Sequence, residues 1–163
     1  MHRIYSAVIM DDDPDAIAFM KWFMEEHFPW IRVASGTEAD AVKGFDIYFI
    51  DNDFNGKARA VEIVKALRET EKDAMIIAYS ATMDAKTFKA LMNAGCNGAA
   101  EKGSASDMAT MGRMTREFIE KKSAEAAEKK SHGFRGTIES MAEMIGKWND
   151  AVNQTPAQSG GVQ

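Results

Sequence analysis

Two short apolar runs in this chain end abruptly in acids: Tyr5 to Met10 runs into Asp11-Asp12-Asp13, and Phe45 to Ile50 into Asp51-Asn52-Asp53. A segment of five or six residues this apolar reads as a strand buried on both faces, which happens in a parallel sheet covered by helices. Acids at the same end of two such strands then come together at one edge of the sheet, where open parallel sheets collect their functional groups. A third run, Met75 to Tyr79, has the same character and leads into Ser80. Two weaker strands are expected at Ile31 to Ser35 and Gly98 to Glu101, the last leading into Lys102.

Helical patterns separate these strands. Pro14 suits the first turn of a helix, and Ile17, Met20, Phe23, Met24 and Phe28 follow at helical spacing up to Pro29. Residues 58 to 70 place Val61, Val64, Ala66 and Leu67 on one side. Residues 84 to 94 carry Phe88, Leu91 and Met92 and stop at Gly95. The stretch Glu38 to Lys43 has room for barely two turns. A last helix is expected near Ser104, with Met108, Met111, Met114, Phe118 and Ile119 inward. Strand and helix in alternation imply right-handed crossovers. The fold class is α/β, a flavodoxin-like three-layer sandwich with a five-stranded parallel sheet and a C-terminal helical extension.

The expected divisions are 1–122 for the sandwich, 123–150 for the extension and 151–163 for a disordered tail. KKSAEAAEKK, from 121 to 130, continues the last helix. Thr137 to Trp148 is a second amphipathic stretch, and Ser131 to Gly136, with Gly133 and Gly136, is expected to form a hinge between the two helices.

Composition excludes some classes. A net charge of −5 in 163 residues is a poor match for the cationic surface that grips nucleic acid without regard to sequence. Cys96 is the only cysteine and has no disulfide partner in the chain. No apolar run approaches the roughly 20 residues that cross a bilayer, and the N-terminal residues lack a cleavable leader pattern. The expected place is the cytoplasm.

Several carboxylates on one sheet edge need a compensating positive charge, and Mg²⁺ suits a few carboxylates with waters. A metal beside a carboxylate, a lysine and a hydroxyl can stabilise a phosphoryl group in transfer. With VIMDDDP, FDIYFID, IIAYSA and NAGCNGAAEKG in this order and spacing, the first 120 or so residues resemble the receiver domains of two-component response regulators. In FDIYFID, Asp46 stands five residues before Asp51, as in that family. The resemblance implies that Asp51 is the phosphoryl acceptor, and that Asp12 ligates Mg²⁺ directly with Asp11 assisting through water. It gives the third protein ligand to the main-chain carbonyl of Asp53. Ser80 and Lys102 would hold phosphoryl oxygens. The donor would be a histidine kinase or a histidine phosphotransfer protein, and the output a protein target, with no role for nucleic acid or membrane.

The pattern departs from the family in places. Ala99 stands where strand five usually has an aromatic, Gly103 where proline follows the lysine, and Asn55 where proline is usual in a loop about one residue longer. Tyr79 sits at a different strand position from the missing aromatic. The extension is expected to pack on the domain or on a second copy, which would make a homodimer through the C-terminal helices. Two other readings exist. SHGFRG resembles a phosphohistidine box, which would make His132 a second phosphoryl site. FIDND resembles the first motif of haloacid-dehalogenase-type phosphohydrolases, in which Asp53 would be the general acid; that family needs a further acidic pair after the lysine, where only Asp107 is near.

Overall fold

A computed structural model of the chain describes residues 4–37 and 42–153. The chain divides into two units, Met1–Glu120 and Lys121–Gln163. In the first, five parallel strands alternate with helices: β1 (Ser6–Met10), α1 (Pro14–His27), β2 (Arg32–Gly36), β3 (Ile47–Asp51), α2 (Ala60–Thr70), β6 (Met75–Ser80), α3 (Ala85–Ala94) and β7 (Gly98–Glu101). A two-stranded antiparallel hairpin, β4 (Asp53–Phe54) with β5 (Lys57–Ala58), follows β3, and α4 (Ala105–Asn153) begins after β7. The sheet order is β2-β1-β3-β6-β7, so the chain reverses its direction of winding between β1 and β3.

Alternation along each strand builds two cores. Ala7 and Ile9, Ile47 and Phe49, and Ile77 and Tyr79 face one side, where α1 contributes Ile17, Met20, Phe23 and Met24 and α4 contributes Met108, Met111 and Met114. Val8 and Met10, Tyr48 and Ile50, and Ile76 and Ala78 face the other, against Ile63, Val64 and Leu67 of α2 and Leu91 of α3. β3 and β6 are buried throughout and β1 from Ala7 onward, which is why they read as unbroken apolar runs. The three-layer sandwich expected from the sequence is present.

Local chemistry explains the helix ends. Asp13 caps α1 by accepting from the Asp15 amide at 3.0 Å, with Pro14 at the first turn. Asp84 caps α3 by accepting from the Thr87 amide at 2.6 Å. Gly95 ends α3 at φ +114, and a Cβ there would lie 2.8 Å from Arg68 Cγ, so both backbone and space require glycine. Arg68 uses this opening to tie together the loops that follow α2 and α3. It donates to the carbonyls of Gly95 (2.8 Å), Glu71 (2.9 Å) and Ala74 (2.8 Å) and to Asn97 Oδ1 (2.7 Å).

Some expectations change. On α2, Ile63 is buried and Val61 only half-buried; on α3, Phe88 and Met92 are exposed while Leu91 and Ala94 turn inward. The hinge expected at Ser131 to Gly136 is absent: α4 runs through it as one helix, because two glycines lower helix stability without forbidding helical dihedrals. The short helix expected over Glu38 to Lys43 falls largely on 38–41, outside the described residues; 42 and 43 have no regular structure. Of the expected tail, 151–153 end α4 and 154–163 lie outside the described residues.

Candidate functional site

The reversal between β1 and β3 brings their carboxyl ends side by side, with Met10 paired to Ile50 in the ladder. The next residues, Asp11 and Asp51, are therefore neighbours, and both are buried, at 0 % and 3 % exposure. β6 and β7 pair in register at Ser80 and Glu101, which places Lys102 beside them. The Lys102 amide donates to the Ser80 carbonyl at 2.7 Å, and its Nζ reaches back over the edge to Asp11 Oδ2 at 2.8 Å and Asp51 Oδ1 at 3.1 Å. One ammonium thus bridges two buried carboxylates.

Charge balance at this edge is incomplete. Asp12 is half-buried, and carboxylate oxygens of Asp11, Asp12 and Asp51 lie within 4.8 Å of one another. Burial, and then the charge of Asp11, push the Asp51 carboxyl up to about 6, despite the lowering effect of Lys102. Burial alone would lower Lys102, but its contacts with Asp11 and Asp51 outweigh that and raise it. Among the described residues, Asp11 Oδ2 and Asp51 Oδ1 accept no well-aligned hydrogen bond beside their ionic contact with Lys102. Three carboxylates, one ammonium and two under-coordinated buried oxygens fit a hard divalent cation with oxygen ligands.

The surrounding groups are held in place. Asp11 Oδ1 accepts from the Asp13 amide at 2.9 Å, leaving Oδ2 for the site. Asp12 Oδ2 accepts from the Asn55 amide at 2.7 Å. Asn55 and Gly56 form the two-residue turn of the β4–β5 hairpin, with φ +51 and +74, the dihedral signs of a type I′ turn that Asn-Gly favours. The departure at Asn55 is thus a hairpin that holds an acidic side chain at the site, where the sequence predicts only a longer loop. The Asn-Gly pair was the signal for it.

Ser80 is buried, and its hydroxyl donates to Asp53 Oδ2 at 3.4 Å; the Asp53 side chain is exposed at the rim. Tyr79 also belongs to the site. Lys102 Nζ lies 4.9 Å from its ring centre, and among the described residues the buried hydroxyl has no well-aligned hydrogen-bond partner. Burial and the nearby charge of Asp11 raise that phenol far above its ordinary range. Ala99, half-buried, pairs with Ala78 in the ladder.

Other motif residues stand elsewhere. Asp46, at the opposite end of β3, accepts from the Ser6 amide (3.0 Å) and hydroxyl (3.2 Å) and joins the start of β1 to β3. Asp107 accepts from the Glu101 amide at 2.7 Å, tying α4 to the preceding turn rather than offering the acid a phosphohydrolase would need. His132 is exposed on α4.

Solved structures similar to this chain include response-regulator receiver domains. The BeF₃-activated receiver domain of DrrB matches with a TM-score of 0.62 at 15 % identity, over 72 % of this chain and 99 % of that one. A receiver protein from Pseudoalteromonas atlantica matches at 0.61 and 14 % identity, over 71 % and 97 %. A CheY-like receiver domain protein from Methanospirillum hungatei JF-1 matches at 0.59 and 16 %, over 78 % and 99 %. No family model matches the chain, and no curated protein matches it in sequence. The chain has the receiver fold. Among the described residues, no helix is long and apolar enough to cross a membrane.

Proposed function

We propose that the chain works as a phosphoryl-accepting receiver in a two-component system, with Asp51 as the acceptor. The observation that carries this reading is the Lys102 bridge between Asp11 and Asp51, at the sheet edge where the strand order reverses. An Asp51 oxygen attacks phosphorus while the bond from phosphorus to the donor breaks; with a phosphohistidine donor, imidazole is the leaving group. Lys102 is within reach of Asp51 to pair with a phosphoryl oxygen, and the Ser80 hydroxyl, at the end of the neighbouring strand β6, can donate to another.

Mg²⁺ would be held by Asp11, Asp12, Asp51 and the main-chain carbonyl of Asp53, and would supply positive charge to the phosphoryl oxygens. The hairpin amide of Asn55 orients Asp12 for that role. Partners on this reading are a histidine kinase or histidine phosphotransfer protein as donor and a protein target as reader, in the cytoplasm.

Incubation with acetyl phosphate and Mg²⁺, followed by intact mass, tests the proposal. Wild type gains one phosphoryl group; Asp51→Asn and the metal-stripped wild type do not. Equal gain by Asp51→Asn, or no gain by wild type with this donor or with a phosphohistidine protein, would overturn it.

A further inference from the structure

The second unit contains an apolar stripe that is exposed among the described residues. From Ala127 to Lys147 every described side chain of α4 is exposed. Ile138, Met141 and Ile145 are 50 %, 55 % and 60 % exposed, and Met144 beside them is 64 % exposed. Their spacing alternates three and four residues. In the sequence the same spacing runs back through Phe134 and Ser131 and on through Trp148. A repeat of 3.5 residues marks a helix that packs along another helix.

Helix stability points the same way. Gly133, Gly136 and Gly146 all fall outside the seam, and each disfavours helix by about 1 kcal/mol relative to alanine. A helical stretch with three such positions, and with every described side chain from 127 to 147 exposed, has little of its own to hold it together, whereas burial of the seam would offset the loss.

Charge identifies the occupant. Residues 121 to 135 carry five lysines and arginines against two acids, Glu125 and Glu128. Residues 136 to 153 carry Lys147 against Glu139, Glu143 and Asp150. The first half is thus basic and the second acidic. A second copy laid antiparallel sets basic half on acidic half; laid parallel, it would set like on like and Lys130 beside Arg135 of the other copy. An anionic lipid surface is a poor match, because the apolar seam lies in the acidic half.

We infer that α4 pairs with the same helix of a second copy as an antiparallel coiled coil, sealed by Ile138, Met141 and Ile145. Setting Ile138 against Met141 of the second copy brings Ala127 level with Val152 and Ser131 level with Trp148, so small positions meet large ones across the seam.

Light scattering of the full chain across a dilution series tests this, with far-ultraviolet circular dichroism to check the fold. Wild type gives twice 18.0 kDa, and the double variant Ile138→Glu, Ile145→Glu gives 18.0 kDa. Ser140→Glu, off the seam, remains dimeric. Orientation is read by oxidation. Copies with Ala127→Cys form a disulfide with copies carrying Val152→Cys but not with each other, while Cys96 stays silent because it is buried with its thiol pushed up to about 11. A monomeric wild type, a double variant that remains dimeric, or a disulfide between two Ala127→Cys copies would each overturn the inference.

Discussion

Asp51→Asn should stabilise the metal-free protein, by an amount that depends on pH. In the fold the Asp51 carboxyl titrates near 6 rather than at 3.8, because burial and Asp11 oppose its charge. A raised folded value means that the native state binds the proton more tightly than the unfolded chain. Stability linked to this group is therefore fully present below about pH 4 and is lost as pH rises through about 6. A shift of this size corresponds to about 3 kcal/mol at neutral pH. Asparagine has nearly the shape of the protonated acid and never acquires the charge, so the variant escapes the loss. In a domain of this size the gain corresponds to a rise in melting temperature of about 10 °C. The assay is thermal or urea unfolding of both proteins with chelator present, from about pH 4 to about pH 7. The gap should be small at the acid end and widen through about pH 6. Added Mg²⁺ should narrow it by stabilising wild type through binding to the folded state. A variant no more stable than wild type near pH 7, or a gap that does not change with pH, would refute the reasoning.

Arg68→Lys should cost about 2 kcal/mol or more in urea unfolding, since an ammonium cannot donate at once to Gly95, Glu71, Ala74 and Asn97; a loss below about 0.5 kcal/mol would contradict the clamp. Gly56→Val should cost about 1–2 kcal/mol, because a β-branched residue is strained at φ +74. It should also weaken Mg²⁺ binding in calorimetric titration by displacing the Asn55 amide from Asp12; unchanged affinity would show that the hairpin does not position that acid.

The parts of this chain readable from sequence are those with one dominant physical cause. Val8, Met10, Tyr48 and Ile50 lie in strands covered on both faces, and a buried parallel strand leaves an unbroken apolar run. Asp11, Asp51, Ser80 and Lys102 were legible because each immediately follows or ends a strand, and chain order then fixes the edge they share. Gly98 to Glu101 was nearly silent, because its Gly-Ala-Ala run has no bulky apolar side chains to mark a strand. The hairpin after Asp51 was missed although Asn55-Gly56 announces it, since strands of two residues have no periodicity to detect. Phe88 and Met92 looked like core by residue type, but α3 buries only a narrow face through Leu91 and Ala94. Gly133 and Gly136 suggested a hinge, and the helix passes through them because propensity is a modest cost rather than a prohibition. Tyr79 was set aside from its strand position alone; its contact with Lys102 depends on where the lysine side chain turns, which no local pattern encodes.

The most direct test of the site is to locate the modified residue itself. After incubation with phosphoryl donor and Mg²⁺, borohydride reduction converts an acyl phosphate on aspartate to homoserine, and peptide sequencing by mass spectrometry then finds the change. The expected result is conversion at position 51 alone, lost when chelator is present. Conversion at Asp11, Asp12 or Asp53 instead, or acid-labile phosphate on His132 with position 51 unchanged, would contradict Asp51 as the acceptor.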